Sequence, residues 1–264
     1  MLSGALSAVQ SGVVIHPDWA APPHVGACMS TREGGVSGPP WHSFNLGALV
    51  GDDPGAVADN RWHWADSLGA QPVWLNQVHG VRVVRIGSGD VCREPATADA
   101  AWTDQPGLAC TVLVADCLPV LFASSDGRVV AAAHAGWRGL AGGVLEATLA
   151  ALQDGAGVAP SDVVAWLGPC IGPRAFEVGA DVLQALGAVD AADPRFVSRP
   201  RPDGSARWLA DLQALASARL TAAGVRQVAS SRLCTVEDDS RFFSFRRDGR
   251  TGRMAASVWL RQRG

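Results

Sequence analysis

Leu118-Pro119-Val120-Leu121-Phe122-Ala123-Ser124-Ser125-Asp126-Gly127-Arg128-Val129-Val130-Ala131-Ala132-Ala133-His134 decides how this chain is read. Two apolar runs flank an Asp-Gly pair, a strong short-range signal for a tight β-hairpin. With Asp126 and Gly127 at the turn's centre, Ser125 faces Arg128 and position 134 faces 119. Strand residues rise about 3.3 Å each, so Cys117 and His134 fall within about 7 Å along the strand direction. The hairpin therefore predicts a thiol and an imidazole at one sheet edge.

Working outward, residues 108–115 read as a buried strand that delivers the chain to Asp116 and Cys117. Further strands are expected at 73–75, 81–86 and 163–167, near Val228, and at 254–260. Helices are expected over 56–68, opened by Asp52 or Asp53 with Pro54 and stopped by Gly69, and over 140–152, 179–186 and 209–223. Residues 22–55, rich in Gly, Pro and Ser, read as irregular, and residues 1–12 as loose. Strands and helices mix without a strict βαβ rhythm, which predicts an α+β fold in one domain over 1–264.

Composition narrows the function. The 264 residues are 48% hydrophobic and 18% charged, enough for a sizeable core. The net charge of -3 provides no global basic field for nucleic acid or an anionic membrane. All 22 basic residues are Arg and Tyr is absent, which removes Lys Schiff-base chemistry, a Walker lysine and a Tyr general acid. No apolar stretch approaches the roughly 18 residues of a membrane span, and the amino terminus lacks a basic targeting region. A cytoplasmic protein is expected. The six cysteines are scattered without a CxxC, so a disulfide framework is not expected.

A thiol beside an imidazole supports two chemistries: a nucleophilic thiolate, or a transition-metal site that needs a third ligand. The plain alternative is ordinary packing at a strand end. Polar neighbours shift the balance, because Asp116 precedes the cysteine and Gly136-Trp137-Arg138-Gly139 follows the histidine at an expected helix start. His79 is the best third ligand, in a turn between strands with Asn76 and Gln77 as orienting amides. His16 and His24 neighbour prolines, His42 follows Trp41, and His63 lies between Trp62 and Trp64 in an expected aromatic cluster. A His-Cys-His set leaves the fourth tetrahedral position open, as catalytic zinc requires.

These residues belong to a wider pattern: Thr31-Arg32-Glu33-Gly34-Gly35, Asn45-Leu46-Gly47, Asn60-Arg61, Asn76-Gln77-Val78-His79-Gly80, Ala115-Asp116-Cys117-Leu118-Pro119, His134-Ala135-Gly136-Trp137-Arg138-Gly139, Gly168-Pro169-Cys170-Ile171-Gly172-Pro173, Cys234-Thr235 and Phe242-Phe243-Ser244-Phe245-Arg246-Arg247. The set resembles the laccase-domain family, whose members carry labels such as purine nucleoside phosphorylase, polyphenol oxidase and peptidoglycan editing factor. The resemblance implies mixed, largely antiparallel sheets packed together and flanked by helices. It also implies zinc, or copper at the same site, on His79, Cys117 and His134. It further implies phosphorolysis of adenosine, inosine and S-methyl-5'-thioadenosine, with adenosine deamination. Phe245 and Phe176 stand where many relatives carry Tyr.

Within that resemblance, Asp116 is the candidate acid/base beside Cys117, against a plain role in fixing a turn. Arg61, Arg138 and Arg246 are candidates to hold phosphate. Asn45 and Gln77 complete the expected substrate contacts. The partners are then a nucleoside and phosphate, with no nucleic acid and no membrane. A peptidoglycan-precursor amidase, using zinc or Cys117 as nucleophile, is the rival enzyme. Polyphenol oxidation fits less well, since blue-copper sites usually add a Met and multicopper oxidases add further His clusters. A third reading takes Arg241, Arg246, Arg247, Arg250 and Arg253 with Phe242, Phe243 and Phe245 as a nucleic-acid stacking platform. Its plain alternative is a final core strand carrying solvated or site-facing arginines.

Overall fold

The structure, a computed structural model, describes residues 14–91, 93–187 and 193–262. The expected looseness of residues 1–12 and the thiol of Cys92 lie outside the described residues. The hairpin forms as its turn chemistry dictates. Gly127 takes φ 67°, its amide donates to Ser124 O at 2.8 Å, and strands Leu118–Ser124 and Val130–Ala135 pair with His134 opposite Pro119.

The hairpin lies inside a six-stranded sheet ordered Gln227–Ser230, Val163–Leu167, Leu118–Ser124, Val130–Ala135, Ala100–Thr103, Val83–Arg85. A five-stranded sheet runs Val14–Ile15, Val25–Ser30, Met254–Leu260, Leu108–Val114, Gln71–Val73. Alternation along the strands explains how the two stack. Val112, Val114, Ala256 and Val258 from one sheet meet Leu121, Ala123, Val130 and Ala132 from the other. The opposite face of the six-stranded sheet packs Phe122, Ala131 and Ala133 on Leu145, Leu149 and Leu152 of the helix Val144–Ala156. The outer face of the five-stranded sheet packs Ala255 and Trp259 on Trp64 and Leu68 of the helix Pro54–Leu68. The fold is α+β, with largely antiparallel sheets between helical layers.

Several expectations are corrected. Residues 22–55 are not irregular throughout: Val25–Ser30 is a strand, stabilised by antiparallel pairing with Met254–Leu260, a partner more than 200 residues away in sequence. The helix expected over 140–152 is two, Trp137–Gly142 and Val144–Ala156, broken where Gly143 takes φ 97°. The helix expected over 209–223 begins as the strand Trp208–Ala210, and Asp211 then caps Leu212–Ala222 by accepting from Ala214 N. His63 is exposed and its ring meets Trp62, which is itself 64% exposed, so no buried aromatic cluster forms there. The arginine-rich segment holds the short helix Phe245–Asp248 rather than a core strand. Phe242 and Phe243 are fully buried, which leaves Phe245 alone among the three on the surface and removes the stacking platform.

The remaining loop from Thr31 to Gly47 is pinned by one side chain. Buried Asn60 donates to Ser37 Oγ, Ser43 O and Asn45 O, and accepts from Val36 N at 3.0 Å. Asn60→Leu keeps the branched outline, with larger methyl groups, but strands those groups, so a loss of about 3 kcal/mol is expected in urea unfolding; a change within about 0.5 kcal/mol would contradict this account.

Candidate metal centre

The chain crosses from one sheet to the other at Ala115-Asp116-Cys117, between Leu108–Val114 and Leu118–Ser124. His134 shares the inter-sheet face of its strand with Val130 and Ala132 and lies at that layer's end. His79 comes from the turn after Leu75–Asn76. The structure brings these three together: one ligand atom from each lies within 4.8 Å of the others. Cys117 Sγ and His79 Nε2 are 3.7 Å apart, and the two imidazoles meet edge-on at 4.8 Å. A nitrogen and a sulfur sharing a tetrahedral ion are separated by about 3.6 Å, so the donor set fits one ion. His134 is buried, Cys117 half-buried and His79 exposed, which opens the group to solvent on one side.

Two glycines make the approach possible. A Cβ on Gly136 would stand 2.8 Å from the His79 ring and 3.0 Å from Cys117 Sγ. A Cβ on Gly139 would stand 3.0 Å from Gly80 O. The spacing of glycines around Trp137-Arg138 thus lets the short helix Trp137–Gly142 close against the His79 turn.

Sequence reasoning missed the residue that organises the centre. Asp99 is fully buried, and its carboxylate accepts from Val78 N, His79 N and Gly80 N at 3.1, 2.8 and 2.7 Å. The same carboxylate meets His134 Nδ1 at 2.8 Å, and the Asp99 carbonyl accepts from His134 N at 2.7 Å. His79 is thereby held at φ 61°, a left-handed conformation uncommon for a non-glycine residue. With Nδ1 on Asp99, His134 turns Nε2 toward the ligand cluster. The available signal was a lone acid in an apolar run, Ala98-Asp99-Ala100-Ala101.

Charge follows from these contacts. Burial opposes a thiolate at Cys117, yet the nearby imidazoles of His134 and His79 outweigh it and draw the thiol down to about 6. Burial likewise opposes a charged His134, but the Cys117 sulfur and the Asp99 carboxylate raise it to about 9. Burial also works against the Asp99 anion, while His134 and the turn amides hold it below the usual carboxylate range. Without metal, the pair is a thiolate facing an imidazolium.

The other expected site residues have definite places. Asp116, at φ 99°, accepts from Thr235 Oγ1 and from Arg246 N, both at 2.6 Å. Asn45 is fully buried; its amide binds Gly47 O and Asp52, and its oxygen accepts from Gly47 N and Arg253 N. Gln77 spends both ends on the Leu113 backbone, at 2.8 and 2.7 Å. Arg61 donates to Leu46 O and stacks on Trp74, and its burial lowers its pKa. Arg138 is exposed and lies over Trp137. The Arg246 guanidinium reaches Ala175 O and Glu177 O at 3.4 and 3.3 Å. Arg253, expected only as one of several carboxy-terminal arginines, is half-buried. Burial lowers its pKa, while the charges of Cys117 and Asp116 act to raise it.

Residues 26–261 match the family described as multi-copper polyphenol oxidoreductase laccase. A purine nucleoside phosphorylase of Pseudomonas aeruginosa is 52% identical over 245 residues, 92% of this chain and 97% of its own length. The purine nucleoside phosphorylase YfiH of Escherichia coli is 48% identical over 250 residues, 94% of this chain and 98% of its own. Among solved structures, Neisseria meningitidis protein NMB0706 superposes with TM-score 0.86 at 45% identity, covering 95% of this chain and 100% of that one. YlmD of Geobacillus stearothermophilus does so with TM-score 0.84 at 32% identity, again covering 95% and 100%. The chain belongs to this laccase-domain (YfiH) family. No helix among the described residues is long and apolar enough to cross a membrane.

Two outcomes are expected. Asp99→Asn weakens metal binding about 10- to 100-fold in chelator competition, and unchanged affinity would remove its positioning role. In chelator-treated protein, iodoacetamide labels Cys117 at full rate near pH 7 and at half that rate near pH 6, because the thiolate is lost as pH falls through about 6. Half-rate near the ordinary thiol value of 9 would contradict the pairing.

Proposed function

We propose that this chain is a zinc-dependent purine nucleoside phosphorylase acting on adenosine, inosine and S-methyl-5'-thioadenosine, with adenosine deaminase activity at the same centre. The observation that carries the reading is an open His-Cys-His group in a chain about half identical, over nearly its whole length, to relatives named purine nucleoside phosphorylase. Zinc is the ion assigned to His79, Cys117 and His134, and copper competes for the same donors through its higher intrinsic affinity. When bound, such an ion supplies Lewis acidity at one vacant position.

The chain's own residues supply the rest. Cys117 contributes a thiolate at neutral pH, and Asp99 keeps the Nε2 of His134 directed at the cluster. Asp116 is assigned the acid/base role: protonating the departing purine in phosphorolysis, or the departing amine in deamination. That role requires one of its two bonds, to Thr235 or to the Arg246 amide, to open during turnover. Arg61 and Arg253 have no carboxylate partner among the described residues and, with Arg138 and Arg246, provide cationic donors for phosphate. Asn45 and Gln77 act by holding Arg253 and the His79 turn in place.

One observation favours a second reading. A thiolate paired with an imidazolium is also the ground state of a cysteine nucleophile, so Cys117 could attack an amide in a peptidoglycan precursor. Oxidation of phenols at several coppers is disfavoured, because among the described residues His79, Cys117 and His134 form the one group of this kind.

Cys117→Ala and His134→Ala are each expected to lower nucleoside turnover at least about 1,000-fold and to abolish metal retention, read by product chromatography and metal analysis. Free base with pentose phosphate, formed only when phosphate is present, reports phosphorolysis. Inosine from adenosine reports deamination. Full activity in either variant overturns the assignment. Silence of the native protein on nucleosides, with amide hydrolysis lost on alkylating metal-free protein, selects the thiol amidase.

A further inference from the structure

Beside the candidate metal centre lies a pair of sulfurs with no part in the chemistry above. Cys170 and Cys234 face each other as an isolated parallel β-bridge, closed by Cys170 N to Leu233 O at 3.4 Å and Thr235 N to Cys170 O at 2.9 Å. Paired residues on neighbouring strands sit about 4.8 Å apart with side chains on one face, inside the Cα separation of about 4.4–6.8 Å that a disulfide spans. Both thiols are free. Cys234 is half-exposed and lines a cavity of about 490 Å³ with Arg174, Gln213, Arg232 and Glu237. The Gly172 amide donates to its sulfur at 3.2 Å. Cys170 borders the same cavity but is 1% exposed.

We propose that Cys170 and Cys234 form a reversible redox pair, closed to a disulfide when a small hydroperoxide enters this cavity. The Cys234 sulfur gives two electrons to the hydroperoxide. The O–O bond breaks, leaving a sulfenic acid on Cys234 and releasing an alcohol, or water from hydrogen peroxide. The Cys170 sulfur then attacks the sulfenic sulfur, the S–S bond forms, the S–O bond breaks, and the oxygen leaves as water with the Cys170 proton. A dithiol reductant reverses the change by exchange. Cys234 reacts first because it is the accessible sulfur, and burial also pushes the Cys170 thiol well above its ordinary value.

The neighbours of this bridge connect it to the centre. Ile171 donates its amide to Asp116 O at 2.9 Å, and Thr235 Oγ1 donates to Asp116 Oδ1 at 2.6 Å. Asp116 immediately precedes Cys117. Drawing the two sulfurs together moves Ile171 and Thr235, two of the three residues that grip Asp116, so the oxidised form loosens its hold on the loop that carries Cys117.

The test uses the full chain and hydrogen peroxide, followed by alkylation, digestion and mass spectrometry. The expected product is a Cys170–Cys234 linked peptide pair that dithiothreitol removes and that still forms in Cys117→Ser. In Cys170→Ser, dimedone traps the sulfenic acid on Cys234 and no linked pair appears. Hydrogen exchange at the Ile171 and Arg246 amides, both donated to Asp116, is expected to be several-fold faster in the linked protein. Absence of the linked pair at peroxide levels that already oxidise Cys117 overturns the proposal, as does linkage of either sulfur to Cys117 instead. Unchanged exchange at both amides overturns the coupling. Neither readout involves nucleoside turnover, so this proposal and the proposed function fail separately.

Discussion

One buried carboxylate underlies the centre. Asp99 takes three amides from the 78–80 turn and the Nδ1 of His134, and a fully buried anion persists only where donors surround it in this way. Its position follows from strand pairing. Asp99 sits just ahead of the strand Ala100–Thr103, whose Ala100 pairs with Ala133, so the ladder itself brings Asp99 beside His134. The two imidazoles thus answer to one acid, although they are 55 positions apart in the chain.

The position of Cys117 depends on a different constraint. The two sheets share a continuous segment at 115–117, where the chain leaves the five-stranded sheet for the six-stranded one. A chain changing sheets gives up its ladder bonds, and those groups need other partners. The Asp116 carbonyl finds one in the Ile171 amide, while its carboxylate takes Thr235 Oγ1 and Arg246 N. The centre therefore lies at the open end of the inter-sheet layer, where Cys117 and His134 are supported by hydrocarbon on one side and His79 meets solvent on the other. Glycines 136 and 139 hold the remaining wall back by the width of a methyl group.

What the sequence revealed and what it concealed divide along the range of the interaction. The hairpin register was legible because Asp126-Gly127 encodes it locally, and His134 opposite Pro119 follows from that turn alone. The strands Val163–Leu167 and Met254–Leu260 were legible from apolar runs bounded by turn residues. The strand Val25–Ser30 was not: it lies in a stretch dense with Gly and Pro, and it is stabilised by a partner at the far end of the chain. Gly143 falls inside the helix expected over 140–152, and its left-handed φ of 97° divides that stretch in two. The convergence of His79, Cys117 and His134 could be picked out by chemistry and position. Asp99 could not, because a buried acid between alanines acquires its meaning only from donors that arrive from elsewhere. Asn45 and Gln77 show how far such contacts reach beyond the local sequence: Asn45 bonds Gly47, Asp52 and Arg253, and Gln77 bonds the Leu113 backbone.

The same carboxylate also sets how readily the centre accepts a cation. Accepting a hydrogen bond from Nδ1–H makes His134 Nε2 a better electron-pair donor, which would strengthen a metal bond. It also raises the imidazole to about 9 together with the Cys117 thiolate, so near neutrality a proton occupies the nitrogen that an ion must take. Cys117, drawn down to about 6, is already ionised there. At neutral pH Cys117 would offer a cation a ready sulfur ligand, and binding would cost one proton from His134 rather than two from the pair. The Cys117 thiolate and the His134 imidazolium stabilise each other, and a bound ion would take over that charge balance.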